Sequence, residues 1–104
     1  NGVDINKVKH GVFVDEKGVT GLKGWEYEVD FYEVSDNEIY IFGVKNRGDK
    51  DTIKQLLDRK LLLESQGKKV TKMFLICYVI SKKDKELAEK YGVTVIASEV
   101  EDKL

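Results

Sequence analysis

At 104 residues, 41% hydrophobic and 36% charged, the chain is long enough for one core and too apolar to be disordered. A net charge of −1 excludes a generic polycation for nucleic acid, and no apolar run approaches the ~18 residues of a membrane span, so no membrane contact is expected. The single cysteine, Cys77, excludes an internal disulfide and fits a reducing, cytoplasmic setting.

Residues 1–11 are too short and too glycine-interrupted to predict a firm element. His10, the one histidine, has no Cys or second His beside it, so a surface or turn role is expected rather than a ligand. Residues 12–14 read as a short strand, and 18–24 (GVTGLKG) as a loop whose three glycines allow unusual backbone angles. Trp25 then opens the stretch on which the rest depends, and is expected in or beside the core.

In residues 26–34, Tyr27, Val29 and Phe31 alternate with Glu26, Glu28 and Asp30, the period of two of a half-buried strand. Residues 38–45 are almost wholly apolar. Tyr40, Phe42 and Val44 alternate there with Ile39, Ile41, Gly43 and Lys45, which predicts a central strand covered on both sides. Ser35-Asp36-Asn37 joins the two as an antiparallel hairpin, a pairing that would bring an acid of the first strand beside Lys45.

Helix-start signals follow. Thr52 with Gln55 fits a capping box, with Asp49 and Asp51 as alternative caps. Ile53, Leu56, Leu57, Leu61 and Leu63, widened by Leu62, form a helical stripe that should end near Gln66, with Gly67 in the left-handed position beyond it. Residues 71–80 (TKMFLICYVI) read as a buried strand in which Cys77 is a small core residue. Ser81 with Asp84 opens a short helix ended by Gly92. Residues 93–97 make a last strand, and 98–104 a frayed tail.

The predicted architecture is therefore α/β, one mixed sheet flanked by helices in the order β-β-β-α-β-α-β, as one domain with 1–11 and 98–104 peripheral. The chain opens on Asn1 without a methionine, as a piece of a longer chain would, and no charged-then-apolar leader marks it for secretion. It has no proline and uses Lys and Glu heavily, a thermophile tendency.

Charge is unevenly spread. Residues 1–44 carry nine acids against four lysines, and residues 45–72 carry nine Lys or Arg against four acids. A basic block directly after an acidic hairpin is either a solvated face or a phosphate-facing surface beside a carboxylate site. A strand-borne carboxylate, an acid on the next strand and a lysine two residues later compose a Mg²⁺ site. Oxygen ligands hold the ion and the lysine steadies an attacking water or the phosphate charge.

On Asp30, the Gly43-Val44-Lys45 segment, the helix bearing Gln55 and the strand around 73–80, the sequence resembles the PD-(D/E)XK nuclease superfamily. The nearest likeness is to its RecB-type and Holliday-junction-resolvase-like archaeal branches, which include small archaeal domains of unassigned role. The likeness spans about residues 24–97 and extends through LLLESQGKKVTK and FLICYVISKKDKELAEKYGVTVIA. It implies a restriction-endonuclease-like core, with Asp30 as first metal carboxylate, Lys45 as catalytic lysine and Gln55 as the helix-borne residue orienting substrate or lysine. It further implies Mg²⁺ or Mn²⁺ as cofactor and DNA as partner, and within the basic block Lys45, Arg47, Lys50 and Lys54 are the expected phosphate contacts.

The sequence departs from the motif at Gly43, where the family carries Glu or Asp. Glu28, on the face of Asp30, is the nearby substitute as a second metal ligand. Three functions follow: a nuclease-like domain that binds DNA but is catalytically impaired, an active Mg²⁺-dependent deoxyribonuclease using Glu28, or a non-catalytic interaction domain. Exposed sheet edges are compatible with a homodimer or with docking to other domains of a parent chain.

Overall fold

The computed structural model describes residues 2–102, and these form a five-stranded mixed sheet with two helices. In chain order the elements are β1 (Lys9–Asp15), β2 (Trp25–Glu33), β3 (Glu38–Gly48), α1 (Lys50–Ser65), β4 (Lys69–Ser81), α2 (Lys82–Lys90) and β5 (Val93–Glu101). The strands lie side by side in that same order. Pairs β1–β2 and β2–β3 are antiparallel, whereas β3–β4 and β4–β5 are parallel and joined through α1 and α2. The expected α/β class, mixed sheet and element order are all present. No helix among the described residues is long and apolar enough to cross a membrane.

Both helices pack on one face. Ile41, Leu75 and Val93 from the strands meet Ile53, Leu56, Leu63 and Ala88 from the helices in a single core. Leu62 is fully buried as well, whereas Leu61, expected in the apolar stripe, points to solvent. The other sheet face carries no helix, so β3 is covered on one side only. The reading of β3 as buried on both sides came from its uninterrupted apolar run, and that run instead supplies aromatic side chains to an open face.

The helix ends follow backbone chemistry. Asp49 is the N-cap of α1 and accepts from the Thr52 amide, while the Thr52 hydroxyl accepts from the Asp49 amide. The capping box thus starts three residues earlier than the Thr52–Gln55 pair, and this frees Gln55 for the helix surface. Ser81 caps α2 by accepting from the Asp84 amide, as its sequence indicates. Gly67 and Gly92 close the two helices at φ of +93° and +81°, angles that side-chain-bearing residues resist.

Three further differences concern extent and exposure. β1 starts at Lys9 rather than at residue 12, which brings His10 into the sheet opposite Asp30. β5 continues to Glu101, because parallel pairing with β4 extends through Ser81–Glu101 where a frayed tail was expected. Trp25 stands at the start of β2 and is 54% exposed, so it is not a core residue.

The loop between β1 and β2 is organised by Asp15, which is 1% exposed. Its carboxylate accepts from the amides of Val19 and Thr20 and from the Thr20 hydroxyl, and Tyr27 donates to that hydroxyl. Burial alone would raise the Asp15 pKa, but these bonds and one from the Gly18 amide outweigh it and hold the carboxyl below its usual range.

Candidate functional site

Strands β2 and β3 pair over only four residue pairs, from Glu33–Ile39 to Asp30–Phe42. Beyond them the strands part. β2 continues with β1 alone, through Glu28–Val12 and Tyr27–Phe13, and β3 continues with β4. The first turns of α1 overlie the resulting fork. A cleft of about 210 Å³ opens there, bordered by His10, by Glu28 and Asp30 of β2, by the 42–45 segment of β3, and by Thr52, Gln55, Leu56 and Arg59 of α1.

The sequence singled out Glu28, Asp30, Gly43, Lys45 and Gln55, and all five border this cleft. The other phosphate candidates do not. Lys50 and Lys54 line a groove of about 810 Å³ between α1 and α2, on the opposite flank of α1, and Lys54 is paired with Asp58 at 3.0 Å. Arg47 holds Glu101 at 2.9 Å. That bond and the neighbouring acids push the Arg47 pKa up, so its charge is already engaged. Among the described residues, neither Lys45 nor Arg59, the two permanent cations bordering the cleft, forms an ion pair.

Asp30 and Lys45 do not form the cross-strand pair that the hairpin suggested. Asp30 lies opposite Phe42 and opposite His10, so its side chain is on the helix-free face. Lys45 follows Gly43 on the helix face, in register with Cys77. The two approach from opposite sides of the sheet and share a cleft only because the sheet is split there.

His10 occupies the position between the acids. Its Nδ1 is 2.7 Å from Asp30 Oδ1 and its Nε2 is 3.2 Å from Glu28 Oε1. Carboxylates only accept, so both contacts are satisfied together when both ring nitrogens carry protons. The hydrogen bond to Asp30 chiefly, helped by the charges of Asp30 and Glu28 and opposed by desolvation, raises the His10 pKa above the usual imidazole value. The histidine ring therefore spans the two acids of β2.

Arg59 ties the two banks of the cleft. Its Nε donates to the Glu28 carbonyl at 2.9 Å, its Nη1 donates to the Gln55 carbonyl at 3.2 Å, and its guanidinium lies 5.5 Å from the centre of the Tyr27 ring. Neither His10 nor Arg59 was picked out as a site residue from sequence. Arg59 follows Gln55 by one helical turn and so shares its face, which is the signal that would have found it. His10 gave no such signal, because the strand that carries it is interrupted by Gly11.

Gly43 faces Leu56 of α1. A Cβ built there meets the Leu56 side chain at 3.5 Å, an ordinary contact, so the position accepts a Cβ.

No protein-family model, no curated protein and no solved structure matches the chain.

Proposed function

We propose that this chain is a nucleic-acid-binding domain with a restriction-endonuclease-like core, built on a Mg²⁺-dependent nuclease plan but impaired in hydrolysis because Gly43 replaces the motif acid. The observation that carries the reading is the meeting of Glu28, Asp30, Gly43, Lys45 and Gln55 around one cleft at the fork of the sheet. These residues are scattered over 28 positions of the chain, and the resemblance had singled them out on other grounds.

Lys45, unpaired among the described residues, is the group that would meet a backbone phosphate, and Gln55 borders the same cleft to orient it. A divalent ion is less well served. Glu28 and Asp30 offer hard oxygens, but His10 already spans them and Gly43 contributes no ligand. Among the described residues no group of three or more His, Cys, Asp or Glu side chains is arranged to hold a metal ion. As they stand, these residues do not fit the oxygen-rich shell that Mg²⁺ demands. The domain then holds nucleic acid through phosphate contacts and leaves the phosphodiester intact.

The test is a nuclease assay with Mg²⁺ or Mn²⁺ on the unaltered protein and on Gly43→Glu, with Lys45→Ala added to each, alongside DNA binding at low salt. The expected result is DNA binding by all forms that keep Lys45, and cleavage only by Gly43→Glu. Cleavage by the unaltered protein would move the missing acid to Glu28, and Glu28→Gln would then abolish it. Undetectable DNA binding at low salt, where phosphate contacts are strongest, overturns the reading.

A further inference from the structure

Arg59 is the charged side chain of the cleft to which the proposed function gives no task. The chain has two arginines, and the structure holds them in opposite ways. Arg47 sets both Nη atoms on the Glu101 carboxylate, at 2.9 and 3.4 Å. Arg59 has no carboxylate partner among the described residues. It is fixed instead by the backbone carbonyls of Glu28 and Gln55 and by the ring of Tyr27. Carbonyls and a ring face orient a guanidinium without cancelling its charge.

Two of the five N–H groups of a guanidinium are spent on those carbonyls, one from Nε and one from Nη1. Nη2 makes no hydrogen bond among the described residues, and Nη1 keeps its second hydrogen. Adjacent free N–H groups form the fork that grips two oxygens of one phosphate. A side chain already tied at two points also has less freedom to lose when a ligand arrives.

The titratable side chains bordering the cleft are His10, Glu28, Asp30, Lys45 and Arg59. They are sorted by side. Glu28 and Asp30 meet His10 on the helix-free side, at 3.2 and 2.7 Å. Lys45 of β3 and Arg59 of α1 come from the helix side, and Asp58, the acid next to Arg59 in the chain, is taken by Lys54. At about 210 Å³ the cleft falls below the ~300 Å³ at which pockets for drug-sized ligands begin, so it suits a small anion rather than a whole nucleotide. We propose that Arg59 and Lys45 together bind one phosphoryl group at the fork of the sheet. Arg59 supplies the paired hydrogen bonds and Lys45 the point charge. The inference rests on the nucleic-acid reading above and adds a second phosphate-binding residue to it. The phosphoryl group is either an internal diester of the strand or its terminal phosphate.

Inorganic phosphate tests the site without DNA. In the unaltered protein the Arg59 Nε–H resonance should shift saturably as phosphate is added, and Lys45→Ala should weaken that response. A silent Arg59 resonance overturns the proposal. DNA binding is then followed from roughly 50 to 200 mM salt. Arg59→Gln should weaken it about tenfold or more and flatten its salt dependence by about 0.9 in log–log slope on duplex, or about 0.7 on single strands. Arg59→Lys should keep the slope and lose affinity, because the charge stays and the fork goes. Lys83→Gln, which removes a lysine from the groove between α1 and α2, should change neither. Weaker binding by Arg59→Gln at an unchanged slope marks a brace alone and overturns the proposal, as does an equal slope loss from Lys83→Gln. If Arg59→Gln fails to fold, Arg59→Lys and the phosphate titration still decide. A preference for a 5′-phosphorylated strand over its hydroxyl counterpart, lost in Arg59→Gln, assigns the site to a strand end. Equal binding of both, and of a closed circle, assigns it to the strand interior. A parent that binds no DNA while Arg59 responds to phosphate removes the nucleic-acid reading and keeps this one. DNA binding lost in Lys45→Ala but untouched in Arg59→Gln does the reverse.

Discussion

Two glycines of β3 should respond in opposite ways to the same added methyl group. At Gly43 the nearest atoms a Cβ meets belong to the Leu56 side chain, at 3.5 Å. At Gly48 it meets Cys77 Sγ, Ile80 Cδ1 and Leu75 Cδ2, each at 3.1 Å. Those three side chains are 6%, 0% and 0% exposed, so none can swing aside into solvent. Neither glycine has positive φ, so alanine can adopt both backbones. Gly43→Ala should therefore remove the entropic cost of a mid-strand glycine and stabilise the fold by about 0.5–1 kcal/mol. Gly48→Ala should overpack the core and cost about 1–3 kcal/mol. For a chain of this size each kcal/mol moves the melting temperature by roughly 4–8 °C, so the two variants should separate by on the order of 10 °C or more. Urea unfolding followed by far-UV circular dichroism would show the midpoints moving apart at constant slope. Equal destabilisation by both substitutions would refute the placement of α1 over Gly43.

Two further outcomes concern pH. His10 should titrate by NMR above the usual imidazole range, and Asp30→Asn should bring it back down, since the Asp30 hydrogen bond is the largest cause of the shift. With the folded pKa raised, the stability His10 contributes is fully present below its unfolded pKa and is lost as pH rises through the folded value, so the stability advantage over His10→Gln should shrink across that window. Asp15 has the opposite sign. Its folded pKa is depressed, so its contribution is present above the unfolded value and lost as pH falls through the folded one. Asp15→Asn should accordingly be less stable at neutral pH and converge on the parent in acid, as read by midpoints of unfolding.

Much of the fold was legible because local chemistry and burial agree. Alternation in β2, the glycine stops at Gly67 and Gly92 and the Ser81 cap each have a short-range cause. What the chain hid depends on long-range packing. The pairing of β2 with β3 ends after four residue pairs while the alternation of both strands runs on, so nothing in the hairpin itself announces the fork. The separation of Asp30 from Lys45 was in fact implied: Tyr27, Val29 and Phe31 share the core face with Ile39, Ile41 and Gly43, so Lys45 belongs to that face and Asp30 to the other. His10 was overlooked because a lone histidine beside a glycine carries no periodic signal, and its partners come from another strand.

The four-pair seam between β2 and β3 also has a mechanical meaning. It divides the sheet into a two-stranded leaf and a three-stranded leaf, joined by a short spine and braced across the gap by the Arg59 bond to the Glu28 carbonyl. The core crosses that spine through Val29, which is 1% exposed, with Phe13, Tyr27 and Phe31 packed beside it. The two-stranded leaf is then the part of the molecule whose backbone amides should exchange with solvent first, and Arg59→Ala should hasten that exchange selectively in β1 and β2.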